Sequence, residues 1–172
     1  FLISFGSLIP CFQDKNHFFV LLPTNNKIQI DDNSLINFTN VGCRKNILEY
    51  TKQLIGTPYL WGGKSGFGFD CSGLVQTVFN TNGISIPRDS KNQYKMVKQN
   101  RIELEQVKTG DLLFFAENNK ICHVGVYDKD LTFIHCSGMV KYNSLDKEDE
   151  LFDKKLMDKF VGIFSISEII KD

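Results

Sequence analysis

The chain has 172 residues and a formal net charge of zero, with 20 Lys plus Arg against 20 Asp plus Glu. An apolar fraction of 42% is enough to build a core, and 23% charged residues is close to the globular average, so disorder is excluded. The balance also excludes nucleic-acid binding through bulk positive charge and gives no reason to expect an anionic membrane surface as partner.

The opening run Phe1-Leu2-Ile3-Ser4-Phe5-Gly6-Ser7-Leu8-Ile9-Pro10 has no basic flank. It is far short of the ~20 apolar residues of a membrane helix, so no membrane span is expected. It reads as part of a folded segment whose upstream portion is missing or removed. Up to about Thr39, short apolar runs alternate with polar turns. Phe18-Phe19-Val20-Leu21-Leu22 stops at Pro23, Asn25-Asn26 signals a turn, and Lys27-Ile28-Gln29-Ile30 alternates with period two. Two or three β-strands are predicted there. So short a set of strands needs upstream sequence to pair with, or a neighbour to lean on.

From Arg44 to Ile55, the residues Ile47, Leu48, Leu54 and Ile55, with Tyr50 and Thr51, form an apolar stripe at helical spacing. Gly56 and Pro58 end that helix. A glycine-rich loop over Trp61–Phe69 leads to a second helix that starts near Asp70 and buries Leu74, Val75, Val78 and Phe79. Asn82-Gly83 is a turn, and Pro87-Arg88-Asp89-Ser90 opens a short helix to about Val97. Thr109-Gly110-Asp111 turns into a strand from Leu112 to Ala116, and strands from Ile121 to Tyr127 and Leu131 to His135 follow. The charged stretch Asp146–Lys159 reads as loop or helix, and Phe160–Ile166 as a last strand. Helices first and antiparallel strands after them predict an α+β fold.

Five cysteines, Cys11, Cys43, Cys71, Cys122 and Cys136, are an odd number, so at least one thiol is free. Cys71 opens the second helix, where unpaired N–H groups and the helix dipole favour an anion. A depressed thiol pKa is expected there. The competing reading is a structural cysteine, the usual fate of a buried thiol. Of three histidines, His123 and His135 lie on consecutive predicted strands, which could place both rings on one face near Cys71. A thiol, a base and a group orienting the base is the logic of covalent catalysis; for these histidines, catalytic and structural readings weigh about equally. Neighbours such as Cys122–His123 and His135–Cys136 point to opposite faces, so only one of each pair could reach a common ion. A zinc site of Cys71, His123 and His135 is sterically open but less favoured than catalysis, because Cys71 lies at an anion-stabilising helix start. Gly63-Lys64-Ser65 imitates the end of a phosphate-binding loop, but Pro58 stands where its first glycine belongs. Lys108-Thr109-Gly110 imitates a β-lactamase motif whose serine partners are not convincingly present.

Six blocks carry a resemblance. They are Thr57-Pro58-Tyr59-Leu60-Trp61-Gly62-Gly63, Phe69-Asp70-Cys71-Ser72-Gly73-Leu74, Pro87-Arg88-Asp89-Ser90 with Gln93, Thr109-Gly110-Asp111-Leu112-Leu113-Phe114-Phe115, His123-Val124-Gly125-Val126-Tyr127, and His135. In this order they resemble the NlpC-type (NlpC and p-sixty) family of cell-wall cysteine peptidases, which is papain-like. The resemblance implies a catalytic domain over residues 41–172, with helices packed on an antiparallel sheet. Residues 1–40 look like the end of a bacterial Src-homology-3-like barrel, in which His17 is structural.

The resemblance also implies Cys71 as nucleophile, His123 as general base and then acid, and His135 as the orienting residue. The Cys71 amide would hold the oxyanion, with the Tyr59 hydroxyl as a further candidate donor. Asp70 and Ser72 would hold the free amine of an L-Ala, and Tyr59 would line that pocket. The implied substrate is a peptidoglycan stem peptide cut between γ-D-Glu and a diamino acid, with no cofactor and no metal. The implied setting is bacterial, in the cell envelope or in cytoplasmic muropeptide recycling. The alternatives are an amidase or acyltransferase using the same thiol and histidines, and a non-catalytic wall-peptide binding module.

Overall fold

Six antiparallel strands in the order β10-β9-β8-β7-β11-β6 form the sheet on which everything else is assembled. They are β6 (Arg101–Ile102), β7 (Leu112–Glu117), β8 (Lys120–Tyr127), β9 (Thr132–Ser137), β10 (Met139–Ser144) and β11 (Phe160–Phe164). The structure is a computed structural model that describes residues 4–7, 9–15, 17–22, 24–30 and 42–170. The predicted segment boundary at residues 40–41, and part of the opening apolar run, lie outside these.

Alternation along the strands divides the buried side chains between two faces. Leu112, Phe114, Val124, Val126, Ile134, Cys136 and Val140 point one way, into the main core with the helices. Leu113, Phe115, Tyr127, Phe133 and Ile163 point the other way, into a smaller cluster closed by Leu156, Met157 and Phe160. The main core is completed by α1 (Arg44–Gln53), α2 (Cys71–Thr81) and α3 (Ser90–Val97). In α1, Ile47 and Thr51 are buried, whereas Ile55 of the predicted stripe is 44% exposed. The helix stops at Leu54, and Gly56 adopts φ +87°, a left-handed conformation open to glycine at little cost. In α2, nine of eleven residues are buried. It is the apolar hub, wedged between α1 and β8.

Arg44 fastens the start of α1 to the Thr109-Gly110-Asp111 turn, its Nη1 lying 2.7 Å from the Asp111 carboxylate. Asp111 is fully buried and also accepts hydrogen bonds from the amides of Lys108 and Ile166. A buried carboxylate is tolerable when its lone pairs are filled in this way. The Thr109-Gly110-Asp111 motif thus serves the fold.

The first described strands, β1 (Cys11–Asp14), β2 (His17–Leu21) and β3 (Lys27–Ile30), form their own antiparallel sheet. Within the glycine-rich loop, β4 (Lys64–Ser65) and β5 (Gly68–Phe69) make a small hairpin. The charged stretch 146–159 is mostly turn, with one short helix, α4 (Lys154–Met157). Among the described residues no helix is long and apolar enough to cross a membrane.

Candidate active site

Asp70 caps α2 and so places Cys71 in its first turn. The Asp70 carboxylate accepts from the Gly73 amide at 2.6 Å and, across the loop, from the Gly62 amide at 3.0 Å. Gly73 has to be glycine, because a Cβ there would run into the Gly63 carbonyl. Arg88 adds two hydrogen bonds to Asp70, at 2.9 and 2.6 Å, and one to Ser72 Oγ at 3.0 Å. Ser72 in turn donates to Asp70 at 3.3 Å. Burial works against the charge on Asp70, but the Arg88 guanidinium and the two amides outweigh it and hold the carboxyl below its usual range. Arg88 is a site residue whose role sequence reasoning missed. Gln93 belongs here too: fully buried, it donates to the carbonyls of Ser72 and Pro87.

The Cys71 sulfur comes from the helix side of the sheet. The β8–β9 ladder ends at the Gly125–His135 pair. Just past that end, the sulfur lies 4.0 Å from the Cys122 carbonyl and faces the Val124 amide, so it is braced against the backbone on both sides of His123. A β-bulge aims this stretch. His123 pairs with Phe115 and Ile121 with Ala116, leaving Cys122 as the extra residue. Such a bulge bends its strand and redirects side chains.

The thiol does not have the depressed pKa expected of a helix start. Burial pushes it up to about 11, and the Asp70 carboxylate adds to the rise. The Val124, Ser72 and Cys71 amides oppose this without overcoming it. A thiolate at this helix start would lose most of its hydration, and that cost outweighs the favourable helix end. All five cysteines are free thiols. Burial also raises Cys136, to about 12.

The two imidazoles meet at the end of the β8–β9 ladder, where the Cys71 sulfur approaches the backbone of His123. Gly125 stands directly across from His135, which places His123 on the diagonal. His123 Nε2 and His135 Nδ1 are 2.7 Å apart, with the rings at 89°. A side chain at Gly125 would crowd both Phe133 and His135. Phe115 packs against His123 and Phe133 against His135. His135 continues to Asn143 of β10, its Nε2 lying 2.7 Å from Asn143 Oδ1. Strand β10 was not predicted, and with it Asn143 was missed. The signal was there: Met139–Ser144 follows Gly138 closely enough for a two-strand turn, but polar residues interrupt its alternation.

Tyr59 borders the thiol from the loop and is 36% exposed. Burial, then the neighbouring Cys71 and Asp70, pushes its phenol above the ordinary value. The structure therefore gathers Cys71 with the backbone around His123, pairs His123 with His135, and groups Asp70, Ser72 and Tyr59 around Cys71. Among the described residues no cluster of three or more His, Cys, Asp or Glu side chains is arranged to hold a metal ion.

Burial pushes His123 down to about 3 and His135 down to about 4, against an ordinary value of 6.5. Both rings are thus neutral in the folded state at pH values where the unfolded chain binds protons. The stability they contribute is fully present above about pH 6.5 and is lost as pH falls toward 4. For His135, only 1% exposed, the ceiling is about 3 kcal/mol. Thermal melts at pH 7 and pH 4 should show this loss. An unchanged melting temperature over that interval would contradict it.

A helix carrying a thiol in its first turn, packed on an antiparallel sheet that carries the imidazoles, is a papain-like α+β arrangement. The chain matches the NlpC/P60 family over residues 56–159 and belongs to that family. It is 39% identical over 129 residues to the γ-D-glutamyl-L-lysine dipeptidyl-peptidase of Bacillus subtilis, covering 73% of this chain and 43% of that protein. It is 33% identical over 142 residues to the protein of the same name from Bacillus cereus, covering 77% of this chain and 42% of the other. The crystal structure of an NlpC/P60 family protein from Bacillus cereus superposes with a TM-score of 0.75 at 29% identity, covering 90% of this chain and 52% of that one. The chain therefore spans about half, or less, of the length of these relatives.

Proposed function

We propose that this chain carries the catalytic domain, over residues 41–172, of a cysteine peptidase that hydrolyses peptidoglycan stem peptides between γ-D-Glu and the following diamino acid. The observation that carries the reading is the placement of the Cys71 thiol against the backbone flanking His123, with His123 bonded to His135. The thiol and His123 are both uncharged at rest, as their pKa values of about 11 and about 3 require. As Sγ attacks the γ-carbonyl of D-Glu, its proton passes to His123, and the C=O electrons move onto oxygen. The Cys71 amide, free at the helix start, faces that oxyanion. Collapse expels the amine of the diamino acid, which takes the proton from His123. Water, deprotonated by the same ring, then releases the acyl group and restores the thiol.

Tyr59, Asp70 and Ser72 line the substrate side of Cys71 in this reading and receive the amine of a leading L-Ala. Asp70 does so with Arg88 already paired to it, so the amine meets a carboxylate–guanidinium pair rather than a bare charge. In this reading β1–β3 belong to the end of a Src-homology-3-like barrel. Substrates of this kind are met in the bacterial envelope and in cytoplasmic muropeptide recycling. The test is mass spectrometry of products from a defined muropeptide panel, with Lys or diaminopimelate at position three and a free or blocked L-Ala amine. Release of L-Ala-D-Glu from free-amine members is expected. Absence of cleavage in every member would overturn the reading.

A further inference from the structure

His123 and His135 are half of a longer chain of polar groups, and its far end determines where the protons sit. Asn143 is 5% exposed. Its Nδ2 donates to the Leu151 carbonyl at 2.9 Å. An amide nitrogen can only donate and a carbonyl can only accept, so the orientation of the Asn143 amide is determined, and Oδ1 faces His135. Oδ1 accepts, so His135 Nε2 carries the proton. In the neutral ring Nδ1 is then the acceptor, and the bond across 2.7 Å must be His123 Nε2–H donating to it. His123 Nδ1 is thereby the nitrogen without a proton, the one that takes the thiol proton in the proposed mechanism.

We infer that Asn143 is a positioning residue that sets the tautomers of both imidazoles, through the relay Leu151 carbonyl, Asn143, His135, His123, and so presents His123 with a basic Nδ1. The inference rests on the proposed role of His123 for its catalytic meaning, but its structural content stands on the hydrogen bonds alone. Register explains why these groups align. His135 is diagonal to His123 across β8–β9, and Asn143 is diagonal to His135 across β9–β10, where Lys141 is the direct partner. Three strands thus lay the relay obliquely over one face of the sheet.

The relay also limits the charge it can hold. A proton arriving at His123 Nδ1 leaves every bond intact, with Nε2–H still donating to a neutral His135. With His123 held as its Nε2–H tautomer, a second proton on His135 Nδ1 would point at His123 Nε2–H and oppose the 2.7 Å contact. The relay therefore keeps its hydrogen bonds with one added proton, and two adjacent imidazolium rings would repel across the 2.7 Å contact. The charged groups around it are Lys141 and Asp153 near His135, and Lys159 near His123. Lys159 is itself paired with Glu117 at 2.7 Å.

The first experiment is nitrogen-15 NMR of the histidine rings in the whole chain at pH 7. Nε2–H tautomers are expected for both His123 and His135; an Nδ1–H tautomer at His135 overturns the inference, whatever the activity. The second is kinetics on L-Ala-γ-D-Glu-L-Lys with two variants. Asn143→Leu removes the acceptor and should lower kcat by about 10- to 100-fold, the usual cost of losing a partner one step removed, with KM nearly unchanged. Asn143→Asp keeps an acceptor for His135 Nε2–H. It should restore the tautomer and most of kcat, and move the acidic limb of the pH–rate profile upward, because a carboxylate favours the imidazolium. A merely structural asparagine would produce neither the rescue nor the shift. Wild-type kcat in Asn143→Leu, or a loss in Asn143→Asp as deep as in Asn143→Leu, would overturn the inference. If the peptide proves not to be a substrate at all, the proposed function fails while the tautomer result still decides the relay.

Discussion

Replacing Cys71 by serine should lower kcat on L-Ala-γ-D-Glu-L-Lys by about 10⁴-fold or more, with the peptide still binding. A hydroxyl holds its proton far more tightly than a thiol, and a residue that acts as one unit with its base takes most of the rate with it. The serine preserves size, so the cap at Asp70 and the packing of α2 should survive and the melting temperature should change little. Steady-state kinetics with calorimetric binding is the check, and retained turnover would remove Cys71 as nucleophile. The state of the thiol can be read in the same preparation. Because burial pushes Cys71 up to about 11, iodoacetamide should label it slowly at pH 7 and faster toward alkaline pH, with the exposed Cys11 and Cys122 labelled first. Immediate labelling of Cys71 at neutral pH would mean a preformed thiolate instead.

His123→Ala is expected to cost about 10³- to 10⁴-fold in kcat. The loss should fall on both halves of the reaction, since in the proposed mechanism the same ring takes the proton from sulfur and returns it to the departing amine. Binding should stay measurable, because the proposed binding residues Asp70, Ser72 and Tyr59, with Arg88, sit on α2, the loop before it and the segment before α3, and none of them is on β8. An alanine at 123 also leaves His135 Nδ1 without its donor, so the variant should lose some of the acid sensitivity of the folded state. Turnover within 10-fold of wild type would remove His123 as the base.

These two variants probe residues that were legible early, for a physical reason. Asp70 and Cys71 are adjacent in sequence, and the helix start that displays them is encoded locally by the Asp70 cap and Gly73. His123 and His135 stand on strands whose alternation can be read from Ile121-Cys122-His123-Val124-Gly125-Val126 and Phe133-Ile134-His135. What local pattern omits is everything that depends on which strands become neighbours. Asn143 became part of the site only because β10 lies beside β9, and β10 was hidden by its polar residues, Asn143 of the relay among them. Arg88 stood in a recognised block, but its bidentate grip on Asp70 follows from a loop folding back across α2.

The thiol illustrates the same division most sharply. Position at a helix N-terminus is a local property, and it argues for an anion. Burial is a property of the assembled core, and here it outweighs the helix, so the resting thiol keeps its proton. The sequence by itself determined the α+β class, the nucleophile candidate, the two imidazoles and the family, because these reside in short-range pattern and ordered motifs. Only the tertiary structure decided the protonation of Cys71, the pairing of Asp70 with Arg88 and the extension of the relay to Asn143. Each of those depends on desolvation or on hydrogen bonds between residues far apart in the chain, which no local spacing can supply.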